Sequence, residues 1–422
     1  MKPQFTGLWR HPDFLRLWAG ETISVFGSLV GGMAVRLTAI FWLGAGALEV
    51  AILAACEFAP SFVLGLGAGV WADRLRRKPL MIAADLGRAA ALASIPAAAV
   101  VDVLTIAQLG VVLVLTSSLS VLFDVAYGAY LPTLIGRGDI VEGNAKLTAS
   151  ASVAEVGSFG VAGWLVQVIS GPGAILVDAI SFLFSAFFLG RIRAPEPPPA
   201  AVHEREHLFR EALAGIRVVT SSPILRWIAL ENMLHMFSRG IIGVAWAVYL
   251  FRDVGFDPAL AGLIFGIGGL TSLGGAWVAG RAWVSRSLGP SLVAATVIRT
   301  VGTAFMPLAR SVSLQGYGLL IANQLVTDPA ASFYEIREVS LRQSITPDRL
   351  LGRVNATLRF SGFGAMLLGT VAVATIGELL GAREALFTGV GVGVVGSVAL
   401  AVSPVARMRR APAPLSAAEA AG

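Results

Sequence analysis

Residues 14–28 read FLRLWAGETISVFGS, and residues 224–238 read ILRWIALENMLHMFS. Leu15, Arg16, Ala19, Glu21 and Ser28 return as Leu225, Arg226, Ala229, Glu231 and Ser238, each 210 positions on. Both phrases open long apolar runs. In both, a glutamate stands where a carboxylate at mid-bilayer costs about 2.5 to 3.5 kcal/mol. A costly feature present twice in one register argues for a duplicated unit.

The echo continues along the chain. A displacement of 211 relates IAADLGRAAALASIP, ending at Pro96, to VAATVIRTVGTAFMP, ending at Pro307, and pairs Arg88 with Arg299. The same displacement pairs Asp124 with Glu335, and NAKL at 144 with NATL at 355. Four echoes in one order predict two related halves. Parallel repeats in one chain point to a secondary transporter whose halves rock about a site near the bilayer midplane.

Composition agrees with a membrane setting. Of 422 residues, 56% are hydrophobic and 14% charged, and the apolar residues come in blocks of membrane-spanning length. Spans are expected near 15–43, 49–72, 79–101, 104–130, 146–169 and 173–190, then near 224–251, 258–283, 289–309, 314–336, 353–376 and 384–405. These runs are two or three times longer than a barrel strand needs, so an all-α membrane protein with twelve transmembrane helices in two pseudo-symmetric six-helix bundles is predicted. The expected organisation is 1–190 for the first bundle, 191–223 for a cytoplasmic linker, 224–406 for the second bundle and 407–422 for a tail. The linker opens on a proline-rich stretch and continues with Leu208, Leu213, Ile216 and Val219 on one broad helical side.

Lysine and arginine set the orientation. Of 32 such residues, Arg252, Arg310 and Arg383 fall in one set of loops and five arginines fall inside spans. The rest, including Arg74, Arg76, Arg77, Lys78, Arg407, Arg409 and Arg410, fall at the N-terminus and in the alternate loops. This bias predicts that both termini are cytoplasmic in a multi-pass protein of the cell inner membrane, and it accounts for the net charge of +6 without a nucleic-acid partner. The first span is too long for a signal-peptide core, so cleavage is not expected. Cys56 is the single cysteine, which excludes an internal disulfide.

After span 2 the chain reads GVWADRLRRKPLM, residues 69–81. Gly69, Asp73, Arg74, Arg77 and Lys78 match the signature loop of the major facilitator superfamily, which this loop resembles, with Arg76 where that family often has glycine. The phrase in span 1, LPTL after span 4 and LLGRVNATL entering span 11 resemble the branch containing macrolide-type drug and siderophore exporters. The resemblance implies a cytoplasmic gate in which Asp73 sits at the N-terminal end of helix 11, near Gly352 and Arg353. A positive helix end suits a carboxylate. Span 4 carries Asp124 where many drug exporters have an arginine, and GSFGVAGW at 157–164 keeps glycines without the proline common in proton antiporters.

The ionisable residues inside the spans are the candidates for coupling and binding. On the first helix Glu21, Ser24, Ser28, Gly32 and Arg36 fall within about 60° either side of one line. Glu231, His235 and Ser238 repeat that stripe on helix 7, with Glu231 and His235 spaced to touch. Helices 1 and 7 line the cavity in the resembled family, so the stripes are expected to face a partly wet pathway. Glu57 and Glu155 lie nearer mid-membrane with no opposite charge within four residues, and they lead Glu21 as proton-coupling candidates. Arg36 and Arg359 are their possible counter-charges, or contacts for an anionic substrate. Static ion pairing is the alternative for each of these residues. Asp85 and Arg88, three apart, are expected to pair locally.

No glycine-lysine phosphate loop is present, so neither nucleotide coupling nor any other cofactor is expected. HEREH at 203–207 matches the spacing of a zinc-protease helix. It lies in a short polar linker without an evident third ligand, so neither a metal nor an enzyme is expected. The expected function is a proton-coupled exporter of small amphipathic compounds, of the drug or multidrug efflux kind, working by alternating access. Its partners are a small-molecule substrate, protons and the lipid bilayer, with a monomer as the working unit. A siderophore or other anionic-metabolite exporter, an uptake carrier and a lipid translocase remain the alternatives.

Overall fold

A computed structural model describes residues 7–64, 76–136, 139–196, 216–280 and 287–410. All regular structure among these residues is helical. In a bilayer a helix satisfies its own backbone hydrogen bonds, which is why apolar runs of this length take that form.

Helix α1, Pro12–Leu37, begins with Pro12 in its first turn, and His11 Nδ1 accepts the Phe14 N–H at 3.1 Å. It passes into a π-helical turn, Thr38–Trp42. Helix α2 is Ala47–Leu64, α3 is Arg77–Val100 and α4 is Ile106–Ile135, capped by the Thr105 hydroxyl. Ile140–Arg191 is helical along its length except at Ser170, whose φ of 70° and ψ of 167° divide it into α5 (140–169) and α6 (171–191).

Helix α7, Pro223–Ala247, repeats the start of α1, with Pro223 in the first turn and the Ser222 hydroxyl accepting the Leu225 N–H. It too runs into a π-helical turn, Val248–Val254, which begins 210 positions after its counterpart. Helix α8 is Pro258–Ala279, α9 is Leu288–Thr303, α10 is Leu314–Ile345, α11 is Asp348–Leu380 and α12 is Ala382–Val402. Gly381, between α11 and α12, has φ 99° and ψ 161°, close to the backbone of Ser170 and 211 positions after it. Ten helices among the described residues are long and apolar enough to cross a membrane.

The chain divides into two compact units, 1–45 with 53–203 and 257–266, and 46–52 with 204–256 and 267–422. The core of the first unit gathers Phe14, Leu17, Met81, Phe123, Tyr130, Leu134 and Leu189 from α1, α3, α4 and α6. The second unit does the same with Leu225, Ile228, Leu292, Tyr334, Leu341, Leu358 and Leu400 from α7, α9, α10, α11 and α12. Many large apolar side chains point outward, among them Val111, Leu115, Phe184, Val301, Leu368 and Val395. Such a surface suits hydrocarbon rather than water.

Close contacts within each unit depend on glycine. A Cβ at Gly27 or Gly31 of α1 would overlap Ser181 or Asp178 of α6. In the second unit, Gly240 of α7 and Gly369 of α11 each rest against the other helix's backbone. Small residues that let helix backbones approach are the usual packing device in a membrane, where burial from water supplies little drive.

Candidate coupling and substrate sites

Arg88 anchors a buried network in the first unit. It bonds Asp85 one turn earlier on α3 and donates to Ser120 Oγ of α4 at 3.2 Å. Its guanidinium lies 4.5 Å from the Phe123 ring and 4.1 Å from the Phe182 ring. A planar cation between two aromatic faces is held by their quadrupoles as well as by the carboxylate. Glu21 of α1 stands close to this pair and to Asp124 and Tyr127 of α4. Glu21 is half-buried and Asp124 is exposed.

The second unit builds the same parts. Arg299 of α9 donates to Glu231 of α7 at 2.7 Å, and the Tyr334 hydroxyl of α10 donates to the other Glu231 oxygen at 2.6 Å. The Arg299 guanidinium lies 5.2 Å from the Tyr334 ring. Glu231 is only 1% exposed, so both of its oxygens find partners where water does not reach. The expected contact of Glu231 with His235 is not the one made. Arg299 and Tyr334 saturate the carboxylate instead, their long side chains reaching it from α9 and α10, while the helices packed directly on α7 are α11 and α12. The matched positions are thus Glu21 and Glu231, Arg88 and Arg299, Phe123 and Tyr334.

Glu57 of α2 accepts from Arg36 of α1 at 3.1 Å, and its backbone carbonyl accepts from Ser117 of α4 at 2.6 Å. One of the two proposed counter-charges therefore meets one of the two leading acids. Glu155 lies on an exposed face of α5, and Arg359 is exposed on α11 with Phe363 at 6.0 Å. The stripe on α1 divides in two. Ser24 is buried and bonds the Glu21 carbonyl, whereas Ser28 is exposed and Arg36 half-buried.

Asp178 of α6 was not among the sequence candidates. It is 4% exposed, beside Ser181 and packed where Gly31 leaves room. An acid within the apolar run 173–190 was the available signal.

Of the gate residues, Gly69, Asp73 and Arg74 lie outside the described residues, as does HEREH at 203–207. Arg77 donates to the Ala129 carbonyl and to Thr133 Oγ1 of α4, both at 3.0 Å. Lys78 Nζ donates to the Ile192 carbonyl at 2.7 Å, at the end of α6. Glu196 accepts the Arg77 and Lys78 backbone N–H groups, so a carboxylate caps the positive end of α3. An open groove of about 500 Å³ runs beside them, lined by Arg76, Lys78, Ile82, Leu86 and Glu196 among others. Arg353 is half-buried on α11. Outside the apolar stretch of α5, Glu142 accepts the Leu8 N–H at 3.0 Å and meets Lys146 at 3.2 Å. These partners, the backbone N–H foremost, hold its carboxyl below the usual range.

No group of three or more metal-ligating side chains occurs among the described residues. Long apolar helices, repeated halves and charge networks buried within them define a polytopic helical transporter.

The comparisons with known proteins agree. The model of the transmembrane secretion effector family matches residues 5–418, and the chain belongs to that family of major facilitator transporters. An uncharacterised transporter of this superfamily from Bacillus subtilis strain 168, YfiS, is 26% identical over 413 residues, covering 94% of each chain. Macrolide efflux protein A of Streptococcus pyogenes is 26% identical over 227 residues, 53% of this chain and 55% of its own. Among solved structures, a bacterial homologue of the iron transporter ferroportin, facing inward, superposes with a TM-score of 0.75 at 18% identity, covering 94% of this chain and 98% of its own. The nucleoside transporter NupG reaches 0.72 at 15% identity, covering 93% and 98%. These two likenesses concern the fold.

Proposed function

We propose that the chain is a proton-coupled exporter of small amphipathic compounds with twelve spans and cytoplasmic termini in the inner membrane. It works by alternating access between the six-helix halves 1–190 and 224–406, joined by 191–223. The observation that carries this reading is the network of acid, arginine and aromatic ring built once in each unit, since duplicated halves are the machinery of a rocking carrier. Similarity to a macrolide efflux protein supports export, and the acids Glu57, Glu155 and Glu21 support coupling to protons.

The Arg36–Glu57 pair suits that role. Both side chains keep about a third of their surface open, at 29% and 32%, so a proton or a substrate cation can exchange for the arginine without uncovering a fully buried charge. Asp73, with Arg74, Arg77, Lys78 and Arg353, forms the cytoplasmic gate in this reading, and Ser28, His235 and Arg359 complete the cavity, whereas Ser24 and Glu231, expected there from the sequence, are buried within their own units. A siderophore or other anionic metabolite is the second reading. The exposed guanidinium of Arg359 favours it, while the pairing of Arg36 with Glu57 removes one of its two cations.

The test is uptake into proteoliposomes under an imposed pH gradient, screening macrolides, lipophilic amines and siderophores. Glu57→Gln should abolish uphill movement yet preserve exchange of substrate for substrate, and Asp73→Asn should slow both. Proton-driven transport at the native rate by the Glu57→Gln/Glu155→Gln double variant would remove the coupling assignment.

A further inference from the structure

The two networks share their parts but not their bonding. In the second unit Arg299 reaches across to Glu231 of α7 at 2.7 Å. In the first unit the matching Arg88 turns to Asp85 of its own helix, and Glu21 makes no side-chain hydrogen bond or ion pair among the described residues. The position matching Asp85, 211 residues on, is Thr296, whose hydroxyl bonds the Val293 carbonyl of its own helix at 2.8 Å. No acid there competes with Glu231. The position matching Phe182, whose ring covers Arg88, is Gly393, which cannot cover Arg299.

Asp85 is 0% exposed and Arg88 6% exposed, so neither exchanges its partner for water at low cost. A guanidinium held by an acid three residues away, by Ser120 and between two rings has little reason to reach α1. The ionisable groups around Glu21 are Asp124 and Tyr127 on α4 and Asp85 and Arg88 on α3. Of these, Arg88 alone could neutralise Glu21 by pairing.

We infer that Asp85 is a positioning residue that divides the labour of the duplicated halves. By retaining Arg88 it keeps Glu21 out of an ion pair and available to exchange its proton, while Glu231, with no such competitor, is fixed as a permanent part of the second core. The inference deepens the proposed transport reading by assigning the exchangeable member of the repeat to the first half, and it rests on that reading only for the consequence to transport.

Dicyclohexylcarbodiimide tests it on the full chain in lipid nanodiscs. The reagent adds a protonated carboxyl across one C=N bond, the carboxyl oxygen bonding to carbon and its proton passing to nitrogen. Rearrangement leaves a stable acylurea, read at each residue by peptide mass spectrometry. Glu21 should be modified at neutral pH and Glu231 spared. In Asp85→Thr the freed Arg88 should claim Glu21 and cut its modification about tenfold. Asp85→Glu should retain the native yield, and Asp85→Thr/Arg88→Gln should restore it, which a general loss of structure would not do. The mirror change Thr296→Asp should draw Arg299 away and raise modification of Glu231.

Unchanged Glu21 modification in Asp85→Thr, or a loss that deleting Arg88 fails to reverse, overturns the inference. If Asp85→Thr does not fold, Thr296→Asp decides the matter, and a Glu231 still spared there overturns it equally. Because labelling needs no substrate, a protein that transports nothing in a pH gradient but shows this pattern would sink the transport reading and leave the role of Asp85 standing.

Discussion

Glu231 and Glu57 each face an arginine within an apolar helix, yet their surroundings give the two pairs different weights. Side chains in the Glu231–Arg299 pair are 2% and 8% exposed, and Tyr334 completes the carboxylate. Removing one partner strands a charge in a medium that cannot solvate it, at a cost of about 3 to 5 kcal/mol. Arg299→Met should therefore lower the thermal midpoint in detergent strongly. Adding Glu231→Leu should recover most of the loss, leaving only the Tyr334 hydroxyl without its acceptor. Arg36→Gln, in the half-open pair, should cost about 0 to 1 kcal/mol. A small shift for Arg299→Met and a large one for Arg36→Gln would reverse this ranking.

Helix positions were legible because span length, flanking charge and the 210-residue echo are local features of the sequence. The structure places proline starts at Pro12 and Pro223, 211 positions apart, and π-helical turns after α1 and α7, 210 positions apart. The break at Ser170 falls in the gap expected between 169 and 173, where SGPG interrupts the apolar run. Helices α10 and α11 outrun their apolar segments, since polar turns such as the one holding Glu338 and Arg342, 3.4 Å apart, continue a helix without needing lipid. The local Asp85–Arg88 pair was readable from spacing, whereas Glu231 chose partners 68 and 103 positions away. Such choices depend on which helix faces which, and one-dimensional spacing carries no record of that. Glycine contacts show the same dependence and can be tested. Gly240 rests on the backbone of Met366 and Gly369, whereas nothing lies within 4 Å of a Cβ at Gly243, on the same helix. Gly240→Val should lose about 1 to 3 kcal/mol through overpacking. Gly243→Ala should be neutral or gain up to about 1 kcal/mol from helix propensity, both read by thermal unfolding.

For the whole molecule, the proposed coupling has a thermodynamic ceiling that counts protons. One proton entering down 100 mV releases about 2.3 kcal/mol. Spent on expelling one neutral molecule, that free energy sustains roughly a 50-fold concentration ratio, and two protons would sustain the square of it. With the potential clamped and no pH difference, the steady-state ratio of a neutral substrate across proteoliposomes should therefore plateau near 50 for a single coupled carboxylate. Glu21, Glu57 and Glu155 all lie in the first unit, while the matching acid of the second is bound by Arg299 and Tyr334. Replacing the coupled carboxylate with glutamine should collapse the plateau to one, turning the pump into an equilibrating carrier. Replacing an uncoupled one should change how fast the plateau is reached and leave its height alone. A plateau that stays near 50 when each of the three is replaced in turn would place the coupling proton on some other group, with Asp178 the next buried acid to replace.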